Sequence, residues 1–431
     1  MPPHLVCSLD VQDFGAETVR VGDLDGDGAP ELLFVQSLRG PRQITCLTAT
    51  TIHGDVLWQR GTPCANNGET YSDLAVQVYD WDDDGRSEVL YVRQAEYRRI
   101  EPRPDGVVER ALEYGGAATM VVLDGQTGQP KHEFPLPAPA DDSFLFADLT
   151  GQGRRRDLVV KDRYWNMWGV SHAGEVLWHY EGSVGHFPAY GDVDGDGCDE
   201  IFVGFALVDH DGTVLFEHDA AGTHQDAAYV VRLVDGSWRL LFGNHGLHCL
   251  TVDGRELWSR PLAEAQHVVA GRFRDDSELQ FAAIDRGQPQ ADGMRAAATL
   301  YLYDLEGREL WRREQPPGGW YAACLECNWL GGRDESRPYA SPLQSILVYS
   351  RGPHEPAVIY DGAGEIIAEL PMVLPNGRPR EHFHFYCTRA DVWGDSREEI
   401  ILFGSRGACV YTNATPLALP TLYNNTLYPG M

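Results

Sequence analysis

The chain has 431 residues and a formal net charge of −29, with 64 Asp and Glu against 35 Lys and Arg. That balance excludes a sequence-independent nucleic-acid binder, because a phosphate backbone rewards clustered cations. A hydrophobic fraction of 43% supports a sizeable core, no apolar run reaches the length of a bilayer span, so no membrane partner is expected, and Gly 46 with Pro 26 calls for many turns.

The opening MPPHLVCSLD has neither a basic n-region nor an apolar h-region. The expectation is a cytoplasmic protein, or a secreted one if a leader has been removed. Nine cysteines are scattered along the chain, which suits a reduced compartment, and Cys324-x-x-Cys327 has no second pair at zinc-finger spacing. Lys131 and Lys161 are the only lysines, so nearly all positive charge is arginine, the residue that makes planar, bidentate contacts to carboxylates.

A repeat runs through the chain. The motif D-x-D-G-D-G-x-x-E spans Asp23 to Glu31, returns with a substitution from Asp80 to Glu88, and stands intact from Asp192 to Glu200. Degenerate copies begin at Asp148, Arg272 and Asp391, and a strand-like run follows each copy: ELLFV, EVLYV, DLVVK, EIFVG, LQFAAI and EIILF. Each unit then closes on a turn and an apolar strand, as in HGDVLWQR, AGEVLWHY, DGTVLFEH, DGRELWSR and EGRELWRR. The period is roughly 50 residues, near the upper end for propeller blades.

Units starting near Val19, Asp73, Phe144, Phe187, Ala227, His267, Ala322 and Phe385 predict an all-β propeller of eight four-stranded blades, with seven as the alternative. The last unit is short of strands, and Leu5 to Val11 is expected to complete it and close the ring, removing a free sheet edge. Arg98 to Gly116, Arg286 to Ala297 and Leu330 to Pro342 read as loops on one face. Residues 1–431 form one domain, with 415–431 as a docked C-terminal tail, and nothing in the sequence sets an oligomeric state.

The Asp loops place oxygens around one hard cation, with glycines permitting the sharp turn. Asp23, Asp25, Asp27 and Glu31, and Asp192, Asp194, Asp196 and Glu200, are therefore candidate ligands for a structural Ca²⁺, the alternative being an Asx turn without metal. Histidines head the innermost strands of neighbouring units: His186 before blade four, His224 before blade five and His267 in the next. Lys161, Arg163, Tyr164 and Trp165 follow a strand of the preceding blade, and His382 and His384 alternate on one side of a late strand. Positions of this kind converge on the axis of a propeller. No G-x-S-x-G, P-loop or dinucleotide fingerprint is present.

KDRYWNMW from Lys161, GHFPAYGDVDGDGCDE from Gly185, DHDG from Asp209, HQDA from His224, AQH from Ala265 and the final YNNTLYPGM together resemble β-propeller polysaccharide lyases, the rhamnogalacturonan lyases and the related ulvan and rhamnose–glucuronate lyases. The resemblance implies β-elimination next to a uronic acid, with an acidic polysaccharide or oligosaccharide as substrate. One departure is that rhamnogalacturonan lyases usually carry further β domains. Elimination needs the carboxylate neutralised, the C5 proton removed and the leaving O4 protonated. His186, His224, Tyr164, Arg163 and Lys161 are the catalytic candidates, and Trp165, Gln266, His267, His382 and His384 the substrate-binding ones. Two alternatives are a propeller glycoside hydrolase releasing rhamnose from glucuronate and a non-catalytic propeller that binds glycan or protein.

Overall fold

Short strands ending in Asp-Gly turns give a computed structural model in which eight antiparallel four-stranded sheets follow one another along the chain. The structure describes residues 3–11, 14–15, 17–38, 43–63, 73–94, 98–99, 114–115, 118–162, 165–218, 225–276, 279–289, 295–331, 343–351, 355–375, 385–394, 397–404 and 407–414. The innermost strands are Thr18–Gly22, Val76–Tyr79, Phe144–Ala147, Ala189–Gly191, Ala227–Arg232, Ala265–Gly271, Tyr321–Cys327 and Phe385–Ala390, opening blades 1 to 8 in that order. Eight blades replace the seven-blade alternative. The eighth closes as expected: Pro3–Leu9 pairs antiparallel with Gly407–Asn413 and becomes its outermost strand.

Second strands such as Glu31–Ser37 and Ser345–Ser350 are buried along their whole length, because each is covered by a blade on either side. Outer strands alternate instead, as in Val176–Glu181, where only Trp178 and Tyr180 are buried.

The recurring outer-strand aromatic explains the second repeat signature. Trp58, Trp178, Trp258 and Trp311 each donate an indole N–H to a carbonyl in a turn of the next blade: Gly125 at 2.6 Å, His210 at 2.6 Å, Leu305 at 2.9 Å and Gly362 at 2.9 Å. Each ring lies against a turn glycine, Gly128, Gly212, Gly307 and Gly364 in turn. Phe134 meets Gly174 and Phe216 meets Gly254 in the same way, and Leu9 of the closing strand meets Gly54 of blade 1. A Cβ on Gly307 would lie 2.5 Å from Trp258, and its φ of +73° independently favours glycine.

The first residue of the second strand closes each Asp loop. Glu31, Glu88, Asp157, Glu200 and Glu399 accept the backbone N–H of Leu24, Trp81, Leu149, Val193 and Val392 through a carboxylate oxygen. Gln280 does the same for Phe273 with its amide oxygen. That position is therefore a turn-closing acceptor whether or not the loop is rich in carboxylates.

Strand alternation sorts the connections onto two faces. The segments before each innermost strand, and those between second and third strands, share one face; the Asp loops and the outer turns share the other. This corrects the expectation of long loops on a single face. The described strands before these segments end at Gln94 and Asp285, both second strands, and at Cys327, the innermost strand of blade 7, which points to the opposite face; most residues of the segments themselves lie outside the described residues. The tail at 415–431 lies outside the described residues.

Candidate active site

The site is built where blades 3, 4 and 5 begin. Before Phe144, Ala140, Asp142 and Ser143 take φ of 56°, 60° and 70°. Non-glycine residues adopt this left-handed conformation at a cost, and such strain concentrates at functional sites. The turn carries the Asp142 carboxylate inward, where its side chain is fully buried.

Two nitrogens from different blades meet that carboxylate. The Lys161 ammonium, at the end of the second strand of blade 3, donates to Asp142 Oδ2 at 3.0 Å and to the carbonyl of Asp162 at 3.1 Å. His186, before the innermost strand of blade 4, places Nδ1 at 3.1 Å from the same Oδ2. Its backbone N–H donates to the carbonyl of Gln225, tying the lead-in of blade 4 to that of blade 5. His186 Nε2 lies 3.9 Å from Asp226 Oδ1, and that oxygen accepts Gln266 Nε2 at 2.6 Å. One chain of contacts therefore runs Lys161, Asp142, His186, Asp226, Gln266 across blades 3 to 6.

With Asp142 ionised, His186 donates through Nδ1 and keeps its lone pair on Nε2, the arrangement of a carboxylate-oriented general base. The side chain of His186 is 16% exposed, enough to reach a ligand at the surface.

Lys161 is 2% exposed. Its charge is spent on Asp142, so the expectation of direct substrate contact gives way to a positioning role through that carboxylate. Trp165 is 4% exposed and presents no indole face to solvent; its backbone N–H donates to Asp162 Oδ1 at 2.8 Å. Gln266 is buried and holds Asp226 rather than lining an open surface. His267 faces an axial cavity of about 320 Å³, bordered also by Phe187, Asp226, Glu326 and Arg389. Its Nδ1 donates to the carbonyl of Cys324 at 2.7 Å, and burial holds the ring below the usual histidine range despite that bond. Arg163, Tyr164, His224, His382 and His384 lie outside the described residues.

Sequence reasoning passed over Asp142. The available signal was Asp141-Asp142 just before a predicted innermost strand, but an acid there resembles any other turn residue.

The Asp loops lie on the opposite face. Asp23, Asp25 and Asp27 cluster in blade 1, and Asp192, Asp194 and Glu200 in blade 4, each set with oxygens within 4.8 Å of one another. Burial, followed by the neighbouring aspartates, pushes Glu200 up to about 7; Glu31 also rises to about 7, chiefly through burial. The donor sets fit a hard divalent cation. Blade 2 differs. Lys131 Nζ sits among its carboxylates at 2.6 Å from Asp82, 3.4 Å from Asp84 and 2.8 Å from Glu88. Partial burial opposes the Lys131 charge, but these bonds outweigh it and hold the ammonium above its usual range. The protein supplies its own cation to that loop.

The fold and the site define an eight-bladed β-propeller with a buried carboxylate, a lysine and a histidine gathered on one face. No family model matches the chain. In sequence it is similar to the rhamnogalacturonan exolyase YesX of Bacillus subtilis (strain 168), 25% identical over 259 residues, covering 50% of this chain and 42% of that protein. It is also similar to the rhamnogalacturonan endolyase YesW of the same organism, 23% identical over 274 residues, covering 52% and 42%. The chain thus spans less than half the length of these curated relatives. Among solved structures, exotype YesX superposes with a TM-score of 0.61 at 21% identity, covering 93% of this chain and 72% of that one. The Bacillus licheniformis rhamnogalacturonan lyase PL11 gives 0.57 at 19% identity, covering 95% and 73%. These structural likenesses establish the fold.

Proposed function

We propose that this propeller is a polysaccharide lyase that cleaves a uronic-acid-containing glycan, at a rhamnose–uronate type of linkage, by β-elimination. The observation that carries the reading is the Asp142–His186 pair, a histidine whose Nδ1 is held by a buried carboxylate on the face where the blade lead-ins converge. In this reading His186 Nε2 takes the proton from C5. Asp142 fixes the imidazole and balances the positive charge that develops on it, and Lys161 holds Asp142 in place. Arg163, Tyr164 and His224, outside the described residues, are the candidates to hold the uronate carboxylate and to protonate the leaving O4. The similarity to rhamnogalacturonan lyases supports the same class of substrate.

A hydrolase reading is less well supported. Most glycoside hydrolases use two carboxyl groups facing the scissile bond. Asp142 and Asp226 are both buried and engaged by Lys161, His186 and Gln266.

The Asp loops of blades 1 and 4 are proposed to hold Ca²⁺ as structural ions, away from the chemistry. The test of the central reading is a panel of rhamnogalacturonan, ulvan and gum arabic, followed by ultraviolet absorbance. Elimination leaves a C4–C5 double bond that absorbs, whereas hydrolysis releases reducing ends with no such signal. Release of reducing ends alone would replace the lyase with the hydrolase.

A further inference from the structure

A second lead-in on the face of His186, three blades further on, carries an exposed aromatic residue. Counted from the first residues of the second strands, Gln280 and Ser345, the residues Arg286 and Arg351 occupy the same position in blades 6 and 7. The lead-in Gly185-His186-Phe187 of blade 4 is matched in blade 7 by Gly319-Trp320-Tyr321, with Phe187 and Tyr321 both buried. Trp320 immediately precedes the innermost strand of blade 7, and His186 lies three residues before that of blade 4, so both belong to lead-ins on the same face of the propeller.

Trp320 is 46% exposed, although its backbone is fixed. Its N–H donates to Ser350 Oγ at 3.0 Å, and its carbonyl accepts the N–H of Arg351 at 2.8 Å. Two guanidinium groups flank the indole, with Cζ of Arg286 at 5.3 Å and of Arg351 at 5.7 Å from the ring centre. Arg286 is held by Glu264, which also takes Arg295, so two arginines share one carboxylate. Arg351 stacks over Tyr386 at 4.7 Å. The nearby Asp285 spends its oxygens on the backbone N–H groups of Ala263, Glu264 and Gly287.

An exposed indole with two guanidinium groups over its ring suits one kind of ligand. The apolar face of a sugar ring stacks on the indole, and a carboxylate on that sugar meets the guanidiniums. In a chain of net charge −29, such a concentration of arginine is where an anionic glycan can land. We infer that Trp320, with Arg286 and Arg351, is a binding platform for a uronate unit of the glycan that His186 cleaves. The class of ligand rests on the proposed lyase reading, and the platform itself rests on the geometry of blades 6 and 7.

The test is titration calorimetry with rhamnogalacturonan oligosaccharides, in the His186→Ala background so that no turnover intervenes. A second set of the same oligosaccharides has its carboxylates reduced to alcohols. Trp320→Ala is expected to weaken binding of the acidic set about tenfold or more, Trp320→Phe to restore most of that loss, and Arg351→Ala to act on the acidic set alone. Equal affinity in the parent and Trp320→Ala proteins would overturn the platform. An equal loss for acidic and reduced sugars on Trp320→Ala, with no effect of Arg351→Ala, would overturn the assignment to uronate. Failure of the two proposals is distinguishable. Trp320-dependent binding without elimination by the parent enzyme sinks the lyase and leaves the platform, whereas elimination with Trp320-independent binding does the reverse.

Discussion

Lys161 Nζ and His186 Nδ1 converge on a single oxygen, Asp142 Oδ2, at 3.0 Å and 3.1 Å. They come from different blades, so the buried carboxylate is also a joint between blades 3 and 4. Orientation of the imidazole and stability of the ring are coupled at this point.

Lys161→Met would leave Asp142 buried without its lysine. Breaking a buried pair from one side typically costs 3–5 kcal/mol, and we expect a loss of about 3 kcal/mol in chemical denaturation. In protein that stays folded, kcat is expected to fall while KM changes little, because the Lys161 ammonium is buried against Asp142. A rise in KM with kcat intact would place the lysine on the substrate instead.

The junction between blades 5 and 6 gives a prediction independent of function. Gly307→Ala forces a methyl group to within 2.5 Å of the Trp258 ring, at a φ of +73°. The expected destabilisation is on the order of 2 kcal/mol or more, by overpacking and strain together. Trp258→Phe, which keeps the ring and loses the bond to the carbonyl of Leu305, should cost only about 1 kcal/mol. Thermal melts of the two variants would reverse this order if the glycine were incidental.

Much of this architecture is legible in the sequence because each blade repeats its turn chemistry. The Asp loop, the buried second strand and the outer Trp recur at fixed offsets, and each has a local cause. The blade starts at Val19, Phe144, Ala227 and Phe385 were readable for that reason, as was the completion of blade 8 by the N-terminal strand. His186 stood out because a histidine interrupted the repeat. Asp142 did not, since its role depends on a left-handed turn and on partners 19 and 44 residues away. Lys131 was missed for a similar reason. It lies on an outer strand, and only the folding of blade 2 brings it into the loop of Asp82 and Glu88. Trp320 was passed over because its lead-in lacks a histidine.

Lys131 sets up a contrast among the Asp loops. Chelation of divalent cations should lower the melting temperature through the loops of blades 1 and 4, with blade 2 insensitive because its ammonium is covalently attached. Lys131→Met should lower the melting temperature further and then recover more of it than the parent as CaCl₂ is added, since the carboxylates of Asp80, Asp82 and Glu88 are left to gather an ion. The same calcium increment in both proteins would contradict this account of Lys131.

Glu17 supplies a pH dependence. It is fully buried beside the innermost strand of blade 1, with Oε2 accepting the N–H of Ser37 at 3.1 Å, and burial pushes its carboxyl up from 4.5 to about 8. A raised folded pKa means that the neutral acid is favoured in the native state. Its contribution to stability is complete below pH 4.5 and is lost as pH rises through about 8. Glu17→Gln should remove that slope, gaining on the parent by on the order of 5 kcal/mol at the alkaline end. Parallel stability curves for the two proteins across this window would show that Glu17 is charged in the fold.

The claim at the centre of the account is that His186 is the base of an elimination. The direct measurement is the rate at which unsaturated ends accumulate from rhamnogalacturonan, for the parent protein and for His186→Ala, with folding of both confirmed by their melting curves. The account predicts absorbance growth in the parent and a loss of at least about 100-fold in the variant, the lower range for a general acid or base. Accumulation at the parent rate in folded His186→Ala would contradict it.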